Sequence, residues 1–113
     1  MIESGKKRIG IFGGSFDPPH KGHLEISKLA IKKLFLDQVY WCLTKKNPFK
    51  KKAFFSISER IKKSKTITSK VKKIKIKFFE EKIKKNYTID LIKYLRKKNK
   101  KNIFFLIVGS DNL

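Results

Sequence analysis

The sequence contains two histidines, His20 and His23, and both fall in the stretch IGIFGGSFDPPHKGHL, from Ile9 to Leu24. An apolar run ends in Gly13 and Gly14, a turn follows, and the imidazoles stand three residues apart with Gly22 between them. A glycine pair directly after a strand allows positive φ and close approach to the backbone. A turn from strand into helix leaves unpaired N–H groups, and the helix start adds the positive end of its dipole. Such a corner attracts anions, phosphates above all. His20 and His23 would share one face of the first helical turn. Beside phosphate an imidazole favours its cationic form, or donates a hydrogen bond while neutral. Gly22 would let a ligand come near the backbone. Two histidines at this spacing, with no nearby cysteine or helically spaced carboxylate, form a weak metal set. The adjacent glycines are not the spaced glycines of a dinucleotide fingerprint. Simple helix capping would explain a lone histidine better than it explains GGSFDPPHKGH as a unit.

These residues need a strand before them and a helix after them. RIGIF (Arg8 to Phe12) reads as a short buried strand. Leu24, Ala30, Ile31, Leu34 and Phe35 recur at helical spacing and predict a helix over Gly22 to Phe35. QVYWCLT (Gln38 to Thr44) predicts a second strand, and KKNPFKKKAFF a loop punctuated by Pro48. Ser56 with Glu59 three residues on is a capping box opening a second helix. KIKIKFF alternates, with Ile74, Ile76 and Phe78 on one face and Lys73, Lys75 and Lys77 on the other, as in a half-buried edge strand. YTIDLIKYLRKKNKK places Tyr87, Leu91, Tyr94 and Leu95 on one helical face and ends in cations that suit the negative end of the dipole. Ile103 to Val108 reads as a continuous apolar, buried strand stopped by Gly109.

The alternation predicts an α/β fold, a doubly wound parallel sheet of four strands with three helices on its two faces. There is room for one domain only. Ligands of such sheets bind at the carboxyl ends of the strands. The sequence stops just there, two residues after Asp111, and so reads as residues 1–113 of a longer domain, incomplete at the C-terminus.

Lys and Arg number 30 against 9 Asp and Glu, a formal charge of +21. Only Arg8, Arg60 and Arg96 are arginines, the residue that reads bases and phosphates bidentately, and the lysines are spread through every segment. This reads as a solvated surface with no dedicated nucleic-acid partner, whose field would attract polyanionic metabolites. Cys42, the single cysteine, cannot form an internal disulfide and reads as a buried hydrophobe in a reducing compartment. No apolar run approaches the ~20 residues of a membrane span, and the N-terminus lacks a signal-peptide core. The expected location is cytoplasmic.

GGSFDPPHKGH closely resembles the first motif of the HxGH nucleotidyltransferases, a Rossmann-like superfamily that moves a nucleotidyl group from a nucleoside triphosphate. NPFK (Asn47 to Lys50) followed by SISER, then NYTIDLIKYL (Asn86 to Leu95), then IVGSDNL (Ile107 to Leu113) resemble one branch, the bacterial nicotinate-nucleotide adenylyltransferases. The resemblance implies that Gly13, Gly14, Ser15, His20 and His23 hold the ATP phosphates, with Phe16 and Asp17 shaping the turn. It implies that Gly109 and Asp111 contact the adenosine, and that Asn47, Lys50, Tyr87 and Thr88 line the pocket for nicotinate mononucleotide. It further implies Mg²⁺ held mainly through the ATP phosphates, with no protein metal site. A later serine/threonine-rich turn of the family, ending in arginine, does not occur in this sequence. Similar motifs occur in phosphopantetheine adenylyltransferase, the alternative within the superfamily. From a different class, the alternative is a lysine-rich nucleic-acid-binding domain.

Overall fold

The computed structural model describes residues 6–44, 54–79 and 87–108, the side chains of 87 and 88 excepted. Among the described residues seven elements alternate: β1 (Arg8–Gly14), α1 (Lys21–Leu34), β2 (Gln38–Leu43), α2 (Ile57–Ile67), β3 (Ile74–Lys77), α3 (Tyr87–Lys98) and β4 (Ile103–Ile107). The strands form one sheet in the order β3-β2-β1-β4, and every pair is parallel. β2 and β3 are thus laid down on one side of β1, and the chain then returns to pair β4 on the other. That reversal creates a switch point at the carboxyl ends of β1 and β4, where open sheets of this kind form a crevice.

Alternation along the strands builds two cores. Phe12, Val39, Trp41, Leu43 and Ile74 face α1 and α2, where Leu24, Ile31, Ile57 and Ile61 meet them. Ile9, Ile11 and Cys42 face α3, where Leu91 and Leu95 cover them. Each such side chain, once buried, contributes about 1.5–3 kcal/mol. Gly10 is required by the first layer. A Cβ there would lie 2.8 Å from Ile107 Cδ1 and 2.9 Å from Leu36 Cδ1.

β3 lies at a sheet edge as expected, with Ile74 buried and Lys73 and Lys75 exposed. Lys77 is half-buried, its ammonium 5.2 Å from the centre of the Tyr40 ring. Two expectations need correction. Phe35 does not belong to the buried face of α1. It is the left-handed C-cap (φ 53°) and is 79% exposed, while Leu36 turns into the core in its place. β4 is not uniformly buried either. It pairs with β1 on one side only among the described residues, and Ile103 and Leu106 are exposed.

Candidate anion-binding site

The strand β1 runs through Gly13 and Gly14, which pair in register with Cys42 and Leu43 of β2. Gly14 therefore continues the strand and its carbonyl accepts from the Thr44 N–H at 2.9 Å. The left-handed residue of the turn is not a glycine. It is Phe16, at φ 48°. A non-glycine residue there costs on the order of 1–2 kcal/mol. Packing offsets it: the Phe16 ring is buried, stacked on Trp41 at 4.7 Å and set edge-on to Phe12 at 5.5 Å. A left-handed residue inside a turn gathers successive N–H groups into a concavity suited to an anion.

His20 is the N-cap of α1, in extended conformation, and His23 is its third helical residue. The Gly22 N–H donates to His20 Nδ1 at 3.0 Å, and the His20 N–H donates to His23 Nδ1 at 3.0 Å. The pair is a reciprocal capping box made of two imidazoles. Capping by imidazoles does not exclude anion binding, because each ring has a second nitrogen that does not cap. A neutral imidazole has one acceptor and one donor nitrogen. With each Nδ1 accepting, each proton sits on Nε2, so the caps fix the tautomer that donates from the outer nitrogen. The rings stack at 3.9 Å. No acidic residue stands in the first turn of α1, whereas α2 and α3 carry Glu59 and Asp90 there. The positive end of the α1 dipole is left for an external anion.

Gly22 has a different reason from the expected one. A Cβ at this position would meet His20 itself, 2.8 Å from Cε1 and 2.9 Å from Nδ1. The glycine makes room for the capping ring rather than for a ligand against the backbone.

His23 is held from below. Its ring lies 4.6 Å from Phe16 and 5.8 Å from Trp41. The Trp41 indole N–H donates to Ser27 Oγ at 2.8 Å, and that hydroxyl donates to the His23 carbonyl at 2.8 Å. This buried chain ties the first turn of α1 to β2. An open cleft of about 630 Å³ runs between Pro18–Pro19 and α2, but neither histidine lines it. The imidazole pair is a surface cradle, not a cavity.

The sequence matches the family model described as cytidylyltransferase-like over residues 11–113. The chain belongs to the cytidylyltransferase-like family. Two curated relatives named "Probable nicotinate-nucleotide adenylyltransferase" come from Pelagibacter ubique and a Ruegeria species. The first is 55% identical over 96% of this chain and 59% of its own length. The second is 38% identical over 93% and 55%. The chain thus spans somewhat over half the length of these relatives. Among solved structures, the Plasmodium falciparum nicotinic acid mononucleotide adenylyltransferase complexed with NaAD has a TM-score of 0.76 at 24% identity, over 93% of this chain and 53% of that one. The same enzyme complexed with APC gives 0.74 at 22%, over 93% and 52%. At that identity the likeness shows the fold, a Rossmann-like α/β sheet, and so meets the architectural expectation.

In this cytidylyltransferase-like chain the expected phosphate set, Gly13, Gly14, Ser15, Phe16, His20 and His23, comes together at the end of β1 and the start of α1. Tyr87 and Thr88 open α3, and their side chains lie outside the described residues, as do Asn47, Lys50, Gly109 and Asp111 in full. Asp17 links the turn to the segment that precedes α2. Its carboxylate accepts from the Phe54 and Phe55 N–H groups at 2.6 and 2.9 Å. Sequence reasoning missed Ser27, Trp41 and Arg60. For Arg60 a signal existed: it falls at helical spacing with Ile57, Ile61 and Ser64, on the face that turns out to be buried.

Proposed function

We propose that the chain carries the ATP-phosphate site of an enzyme that transfers an adenylyl group from ATP to nicotinate mononucleotide, forming nicotinate adenine dinucleotide and pyrophosphate. The observation that carries this is the reciprocal imidazole cap of His20 and His23 at the carboxyl end of β1. The acceptor is assigned from the two curated relatives, both of which bear that enzyme's name.

The 5′-phosphate of nicotinate mononucleotide is the nucleophile. Its second pKa is near ~6, so at neutral pH the dianion is already present and needs no general base. A phosphate oxygen bonds to the α-phosphorus of ATP while the α–β P–O bond breaks, and the electron pair leaves on pyrophosphate. The chain's task is alignment and relief of negative charge. The Nε2–H groups of His20 and His23 and the start of α1 donate to the phosphates. Among the described residues no group of three or more His, Cys, Asp or Glu is clustered to hold a metal. Mg²⁺ would take its oxygens mainly from the triphosphate and would spread the charge of the leaving group there. Gly109 and Asp111 are assigned to the adenosine, and Asn47, Lys50, Tyr87 and Thr88 to the acceptor mononucleotide, on the sequence motifs.

The test is an NMR titration of the labelled chain with Mg-ATP, then with nicotinate mononucleotide. The expected result is movement of the imidazole resonances of both histidines and of the Gly14 to Phe16 amides, with pyrophosphate competing for the same site. Silent histidine resonances at saturating ATP would overturn the phosphate assignment. Binding of phosphopantetheine in place of the mononucleotide would overturn the acceptor.

A further inference from the structure

Arg60 lies in the first turn of α2 and is 1% exposed. A buried guanidinium is tolerated only where hydrogen bonds replace its hydration. Here it donates to backbone carbonyls of three separate segments. Nε reaches Phe55 O at 3.1 Å, and Nη1 reaches Ser15 O at 2.7 Å and Thr44 O at 2.6 Å. Ser15 belongs to the turn after β1, Thr44 follows β2, and Phe55 precedes α2. Asp17 works in the opposite sense, its carboxylate accepting from the Phe54 and Phe55 N–H groups. Phe55 is therefore gripped at both ends of its backbone, by Asp17 at the N–H and by Arg60 at the carbonyl.

We infer that Arg60 is a positioning residue for the anion site, acting through the Ser15–Phe16 peptide. In a trans peptide the carbonyl and the N–H point in opposite directions. With the Ser15 carbonyl turned down onto Arg60, the Phe16 N–H is turned away from the buried guanidinium. The same bond helps hold Phe16 in its left-handed conformation, which aligns neighbouring N–H groups. A charged donor at the carbonyl end also polarises the peptide and strengthens the N–H at its other end as a donor. The cation thus serves a phosphate it does not touch, from beneath the floor of the cradle. This rests on the phosphate reading for its consequence, though not for its effect on the turn.

The test uses the 113-residue chain and its variants R60M and R60K, with two readouts: backbone order at Ser15 and Phe16 without ligand, and the Kd for Mg-ATP. In R60M the order parameters of both amides fall from about 0.85 to below about 0.6, and ATP affinity drops at least about tenfold, on the scale of one charge-assisted hydrogen bond. R60K, keeping the charge but losing the planar fork, restores both in part. R60M with a rigid turn and unchanged Kd overturns the inference, as does a lowered Tm with unchanged Kd, which marks a purely structural residue. Should R60M fail to fold, D17N loosens the same turn from the other side, and an unaltered turn and Kd in that variant overturn the inference equally. If the wild-type chain binds no ATP, the phosphate reading falls. The order parameters then still decide whether Arg60 holds the turn.

Discussion

Replacing Gly22 with alanine should separate the stability of the α1 N-terminus from its chemistry. The new Cβ would stand 2.8 Å from His20 Cε1 and 2.9 Å from Nδ1, where ordinary contact begins near 3.4 Å. The backbone of a helix cannot give way, so the imidazole must retreat by roughly 0.5 Å or more, since repulsion at such distances is steep. That movement breaks the bond from the Gly22 N–H, now 3.0 Å long. Losing an N-cap costs about 0.5–2 kcal/mol. Removing a glycine from a helix returns up to about 1 kcal/mol. The two nearly cancel, so Tm should change by no more than about 8 °C. Nucleotide binding has no such compensation. On the proposed phosphate reading, the displaced ring loses both its tautomer-fixing partner and the position from which it would donate to a phosphate, and one hydrogen bond to a charged group is worth about 1.5–3 kcal/mol. The Kd for Mg-ATP should therefore weaken by roughly ten- to a hundredfold. Calorimetric titration and thermal melts on the same preparation measure both. Wild-type ATP affinity in G22A would refute the reasoning, because the glycine would then not be serving the imidazole.

Two further outcomes follow from the two cores of the sheet. S27A leaves the buried Trp41 indole N–H without its acceptor and should cost about 1–3 kcal/mol; W41F also costs stability, and the double variant should cost less than the sum of the two in chemical denaturation, because no donor remains to be orphaned. The Cys42 thiol is pushed up from 9.0 to about 12 by burial, with the Lys77 charge pulling the other way. An acid whose folded value is raised stabilises the fold below its unfolded value and loses that contribution as pH climbs from about 9 towards 12, at up to about 1.4 kcal/mol per pH unit. Burial raises the Tyr40 hydroxyl as well, with Cys42 adding to it, so the decisive measurement is the difference in alkaline slope between wild type and C42A. Equal slopes, or alkylation of Cys42 in the folded chain as fast as in the unfolded one, would contradict the burial argument.

The architecture was legible because strand-like and helix-like segments alternate along the chain, and within β2 and β3 a period of two sorts the side chains between faces. Val39, Trp41 and Leu43 face one core, while Tyr40 and Cys42 face the other. The same period separates Ile74 from Lys75. The burial of β4 was misread because an apolar run such as IFFLIV carries no mark of how many neighbours its strand has. At the candidate site, the residue types were visible, but the conformations were not. The left-handed position passed to Phe16 because stacking on Trp41, a contact between residues twenty-five apart, outweighs a local preference for glycine. Arg60 was noted only as one of three arginines in a lysine-rich chain, since its partners are carbonyls, which no residue letter announces.

The chain contains its own control for the imidazole cap. Helix α2 opens with an ordinary capping box, in which the Glu59 N–H donates to Ser56 Oγ at 3.2 Å and the Ser56 N–H donates to Glu59 Oε1 at 3.4 Å. In α1, His20 and His23 occupy the same two positions and satisfy equivalent backbone groups. The boxes differ in what they show to solvent. Glutamate places a negative charge at the helix start, which suits the dipole but repels phosphate. Two imidazoles accept through Nδ1, carry no negative charge, and keep donors on Nε2. The H20S/H23E variant should therefore convert the α1 box into that of α2. The hydroxyl restores a favoured N-cap, and the carboxylate adds about 0.3–1 kcal/mol against the dipole. Both offset the contacts of the His23 ring with Phe16 and Trp41, so the helix should survive by circular dichroism. ATP binding should vanish at millimolar concentration, as two donors are lost and a like charge is gained. A folded H20S/H23E chain that still bound ATP tightly would show that the nucleotide is held elsewhere, and that the histidines do no more than begin a helix.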